Sequence, residues 1–241
     1  MTRPRREEFI LDVRRAARML VQPTVEADST AVDTDFVSRL LQQAALWLTP
    51  KVVEHYDAAD FGIWPQEQQD QLRLTVEEFR TLASQVSGDK PATVEQLTEG
   101  TTRLQRLIET LGGMIRAEWL DAIHQVESQA EGWASKHGWR TRRVAKKMSE
   151  SLLGEYEAPQ LLIYAEPNLY VLDPVARFVP GAQGSFDLAI QPSYYTTSVY
   201  RGDDGHWYAH LDAGKDVSGG QRVPWNEEAF LAGIQQLETL V

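Results

Sequence analysis

Apolar residues recur every three or four positions through the first half of the chain, and then the period changes. Phe9, Ile10, Val13, Ala17, Leu20 and Val21 fall on one helical face. Pro4 suits a first helical turn, and Gln22-Pro23 stops the helix. A second helix is predicted from Asp33-Thr34, with Phe36, Val37, Leu40, Leu41, Ala44, Trp47 and Leu48 as its stripe and Pro50 beyond it. Phe61-Gly62-Ile63-Trp64-Pro65 reads as a connector tucked onto the helices. A third helix carries Leu72, Val76, Phe79, Leu82, Ala83 and Val86, and Ser87-Gly88 ends it.

The fourth helix opens with a capping box, Thr93 and Gln96. Its stripe is long: Val94, Leu97, Leu104, Ile108, Leu111, Ile115, Trp119, Ala122 and Val126. Gly112-Gly113 interrupts it at a cost of roughly 2 kcal/mol relative to alanine, yet the stripe stays in phase. A continuous kinked helix and two stacked helices both fit that pattern.

Lys136-His137-Gly138 supplies a cationic last turn and a terminating glycine. From Trp139 the sequence alternates or is rich in β-branched and aromatic residues, which predicts strands over 139–146, 158–165, 169–173, 185–190, 196–201 and 206–211. The run RGDDG (201–205) is a hairpin turn, because Gly and Asp tolerate the left-handed backbone it needs. VSGGQRVP reads as a glycine-rich loop. Asn226 then caps a last helix that buries Phe230, Ile234 and Leu237. The expected fold is α+β. A helical bundle over residues 1–112 precedes an α+β module over 113–241, with about five to six antiparallel strands covered by the 114–137 helix and the C-terminal helix.

Composition narrows the function. The chain has 241 residues, is 42% hydrophobic and 24% charged, and carries a net charge of −11. That is ordinary for a folded protein, and the acidic balance argues against a general grip on nucleic acid. The absence of cysteine removes disulfides, thiol nucleophiles and cysteine-ligated metals. Arginines break up the apolar residues of the N-terminal stretch, so it does not read as a signal peptide, and no run is long enough to span a membrane. A cytoplasmic setting with no membrane association is expected.

Candidate chemistry gathers in the second half. Asp173 and Asp187 stand in apolar surroundings, and Glu155 and Glu157 are two residues apart, hence on one face if extended. Four carboxylates could hold magnesium for a metal-dependent hydrolase. The ordered acid, acid-x-lysine pattern of PD-(D/E)XK nucleases is missing, since no lysine follows Asp187 two residues on. Turns explain the acids separately: Asp173-Pro174 would start one, and Pro180-Gly181 would make the next. His206 and His210 would share a metal on a helix, but on a strand they lie roughly 13 Å apart. No phosphate-cradling glycine motif is present, and no cofactor is expected. WRTRRVAKK (139–147) is a local basic run within an acidic chain. It suits contact with an acidic partner, with Trp139 available for stacking. It also suits a solvated edge strand whose charges discourage aggregation. Tyr194-Tyr195 offers exposed aromatic surface of the kind interfaces use.

Together these features predict a non-enzymatic binding or accessory protein that engages a protein partner or itself. Trp139, Arg140, Arg142, Arg143, Tyr194 and Tyr195 are the candidate contacts. The alternative is a diverged metal-dependent, nuclease-like hydrolase using Glu155, Glu157, Asp173 and Asp187.

Overall fold

Among the described residues, four helices precede seven strands, and a fifth helix follows them. The structure is a computed structural model and describes residues 5–21, 34–47, 65–86, 93–193, 195–211 and 221–240. The helices are α1 (Arg5–Val21), α2 (Thr34–Trp47), α3 (Gln66–Val86), α4 (Val94–Lys136) and α5 (Glu227–Glu238). The strands are β1 (Arg140–Glu150), β2 (Gly154–Ala165), β3 (Asn168–Ala176), β4 (Ser185–Gln191), β5 (Tyr195–Arg201), β6 (Trp207–Leu211) and β7 (Gln221–Pro224). The fold is α+β, as the change of period predicts. The helix stops at 22–23 and 87–88, the connector at 61–64 and most of the glycine-rich loop lie outside the described residues. So do Pro4, Asp33, Leu48 and Pro50, and the side chains of Leu20, Val21, Trp47, Ala83, Val86 and Val94.

The chain divides into two compact units. The first holds Met1–Arg116 and Glu150–Gly154. Most of its core is the set the periodicity selects: Phe9, Ile10, Val13, Leu40, Leu41, Leu72, Val76, Phe79, Leu97 and Leu104 are buried, whereas Phe36, Val37 and Ile108 are part-buried and Leu107, off the expected stripe, is buried. The capping box forms as expected. Thr93 N–H donates to Gln96 Oε1 at 3.0 Å, and Gln96 N–H donates to Thr93 Oγ1 at 3.2 Å. Helix α4 runs unbroken through Gly112-Gly113. The two glycines differ in purpose. A Cβ on Gly112 would collide with the Leu152 carbonyl oxygen, whereas one on Gly113 would meet open space.

The second unit holds Ala117–Ser149 and Glu155–Val241. Its sheet has the sequential order β1-β2-β3-β4-β5-β6-β7. One face is covered by α4 and α5. Leu161, Ile163, Tyr170, Leu172, Phe186, Leu188, Ile190 and Val199 are buried there. Trp119 of α4 meets Phe186 at 5.8 Å and Trp207 at 6.2 Å between ring centroids. Asn226 caps α5 through a 2.9 Å bond from Ala229 N–H, and Phe230, Ile234 and Leu237 are buried.

Two expectations need correction. The sheet has seven strands rather than about five to six, because Gln221–Pro224 pairs with β6, Tyr208 facing Pro224 and His210 facing Arg222. Four residues ending in proline give almost no periodic signal, and proline is tolerated here because β7 is an edge. Asp173-Pro174 does not start a turn. It lies inside β3, where the register slips between Pro174 and Ala176. A bulge is the place within a sheet that accepts a residue lacking an N–H.

Candidate functional site

Strand β1 is one edge of the sheet, and its basic side chains point to both faces. Arg143 reaches α4, where Nη2 donates to Ser128 Oγ at 2.9 Å and to Glu131 Oε2 at 2.8 Å, and Nε lies 3.2 Å from Glu127 Oε2. Lys146 turns to the opposite face. Its Nζ donates to Asp173 Oδ1 at 2.6 Å and to the Pro174 carbonyl at 2.8 Å. These residues hold the strand from both sides. Arg142 and Lys147 are exposed and make no ion pair among the described residues. Arg140 is exposed, 3.5 Å from an exposed Glu166 carboxylate, with its guanidinium 6.0 Å from the Tyr164 ring. Trp139 is half-buried, its ring beside His137 at 5.4 Å and Phe230 at 6.3 Å. Tyr195 is exposed at the start of β5, and Tyr194 lies outside the described residues.

The sheet register settles which acids meet. Asp173 and Asp187 face each other directly across β3 and β4 on the open face. Asp173 also accepts from Gln160 Nε2 at 2.8 Å. Among the described residues, Asp187 accepts only a 3.3 Å bond from the Ser198 hydroxyl. Burial pushes the Asp187 carboxyl up from its ordinary value and the Asp173 charge adds to the rise; the Ser198 bond and the Lys146 charge pull against it. The pair sits at one end of a hollow of about 570 Å³ floored by Leu162, Leu169, Val171 and Ala189. Glu155 and Glu157 line a different hollow, with Lys147, Met148, Ser149 and Tyr156. Among the described residues no group of three or more histidines, aspartates or glutamates is placed to hold a metal ion. His210 lies within β6, while His206 sits just before it, one residue outside the strand expected to begin there.

Two features escape the sequence reading. Glu127 is fully buried in α4, and among the described residues neither carboxylate oxygen receives a hydrogen bond, because the Arg143 Nε–H is not aligned for one. Burial pushes its carboxyl up to about 7; Arg143 opposes the rise and Glu131 reinforces it. Its signal is the stripe Ile123, Glu127, Ala130, Ala134, whose helical spacing places an acid among small and apolar residues. The second is a cation–π stack on the open face. The Arg222 guanidinium lies 3.5 Å from the Tyr208 ring centroid, and the Tyr208 hydroxyl donates to Asp204 at 2.6 Å. Arg222 belongs to β7, so no stack was visible while that stretch read as loop.

No helix among the described residues is long and apolar enough to cross a membrane. Compared with known proteins, the chain matches no family model, no curated protein and no solved structure.

Proposed function

We propose that this protein is a non-enzymatic binding protein that takes an extended, acidic segment of a partner as an added strand along β1. The observation that carries the reading is the edge position of an eleven-residue strand bearing exposed Arg140, Arg142 and Lys147. An edge strand presents unpaired backbone donors and acceptors, which supply affinity to an incoming strand, while side chains supply selectivity. Arg143 and Lys146, anchored on opposite faces, keep the template straight, so little conformational entropy is lost on binding.

The chain's net charge of −11 would repel an acidic partner at long range. At physiological salt the Debye length is about 8 Å, so a docked segment experiences the local cations of β1 rather than the whole molecule. A labelled nonapeptide of alternating glutamate and valine is the probe, with a lysine–valine peptide as its control. Anisotropy should rise with the acidic peptide alone. The double variant Arg142→Glu, Lys147→Glu should weaken binding at least about tenfold, or about 1.4 kcal/mol. N-methylation of alternate residues along one side of the probe should abolish binding, because it removes the pairing N–H groups. Equal binding of both peptides, or indifference to N-methylation on either side, would refute strand addition.

A further inference from the structure

The open face of the sheet carries a hollow that β1 does not need for strand addition. Its side chains lie in rows set by the register. Leu162, Val171, Ala189 and Thr196 form one row across β2, β3, β4 and β5. Asp173, Asp187 and Ser198 form the neighbouring row across β3, β4 and β5. Rows on one face are two residues apart along a strand, about 7 Å. The hollow is therefore acidic at one end, with Leu162, Val171 and Ala189 as an apolar floor beside the acids and Gln191 and Thr196 at its far margin, and its volume of about 570 Å³ is within the range of small-ligand sites.

The charges at the acidic end do not balance locally. Lys146 and Gln160 are both spent on Asp173. Asp187 forms no ion pair among the described residues; its one hydrogen-bond donor there is the Ser198 hydroxyl. Its carboxyl is pushed up by burial, which the Ser198 bond and the Lys146 charge only partly offset, and the opposing aspartate adds to the rise, so a cation arriving there would stabilise the charged form. An anion would meet two carboxylates. A neutral apolar ligand would desolvate Asp187 further without pairing it. A divalent metal needs several oxygen ligands, and one of the two acids is already paired with lysine. An ammonium group with an aliphatic tail satisfies both parts at once: three N–H donors for Asp187 and its neighbours, and methylenes for the floor.

We infer that the hollow on the open face of the sheet is a binding site for a small organic cation, an alkylammonium whose head sits at Asp187 and whose chain lies across Val171 and Ala189. The site is separate from the β1 edge, and its test is independent of strand addition.

Hexylammonium is the probe, with hexanol and hexanoate as controls of equal length, followed by calorimetry and by amide chemical shifts of the full chain. Hexylammonium should bind, with shifts centred on β3 and β4, and hexanol should bind at least about tenfold more weakly. Asp187→Asn should lower hexylammonium affinity by about tenfold or more while leaving the circular dichroism spectrum and the acidic-peptide binding unchanged. Ala189→Phe, which fills the floor without adding charge, should also abolish binding, and its fold is checked by the same spectrum. Equal affinity for amine and alcohol, an unchanged affinity in Asp187→Asn, shifts centred elsewhere or no binding at all would overturn the assignment. So would stronger stabilisation by manganese than by hexylammonium, which would return the aspartates to the metal reading.

Discussion

The two faces of the sheet receive a cation from almost the same place, and they use it differently. Arg143 goes to the helix-covered side and meets Glu127; Lys146, three residues on, goes to the open side and meets Asp173. On the covered side the acid is fully buried and the guanidinium is close without hydrogen-bonding either oxygen. On the open side the acid is part-exposed and receives two well-formed bonds, from Lys146 and Gln160. The lesson is that proximity of opposite charges does not offset desolvation unless the donors are aligned. Glu127 responds by holding its proton up to about pH 7.

Substitutions should separate the faces by size of effect. The largest concerns the apolar packing of the covered face: Phe230→Ala should cost about 3–5 kcal/mol, read from the urea midpoint. A loss below about 1 kcal/mol would show that α5 is not a tight part of the core. Next comes Glu127. Its folded pKa of about 7 lies above the ordinary 4.5, so the folded state holds a proton that the unfolded chain releases. The stability this proton confers is full below pH 4.5 and is lost as pH rises to about 7, by about 3 kcal/mol in all. Glu127→Gln should flatten that decline and be more stable than the parent at pH 8. Parallel pH profiles for variant and parent would refute the account. On the open face Lys146→Met should cost about 1–2 kcal/mol, since it leaves Asp173 with Gln160 alone. Arg140→Ser should stay within about 0.5 kcal/mol, because both members of its ion pair are exposed. A larger change there than at Lys146 would reverse the ranking of open-face charges.

The helices and six of the strands were legible because their burial repeats at the period of the element. Phe9, Val13 and Leu41 on helices and the strand run from Ser185 to Gln191 are examples. What remained illegible depends on register between elements. The meeting of Asp173 and Asp187 follows from the pairing of β3 with β4, whose register slips only beyond them, between Pro174 and Ala176. Nothing in the local spacing of either aspartate encodes it. The strand β7 was hidden by its shortness and its proline. Glu127 was the recoverable miss, since its stripe is complete in the sequence and lacks only the partner sixteen residues on.

The sheet's ends are unequal, and that bears on how copies of this chain could assemble. One margin offers eleven residues; the other offers four and finishes in Pro224, which has no N–H to give. Among the described residues, head-to-tail stacking of long margin on short margin would therefore run out of pairing after a few residues, which disfavours an open fibre. Long margin against long margin is a closed two-fold arrangement in which each copy's arginines confront the other's. At the long margin the geometry permits a dimer and the charges oppose it.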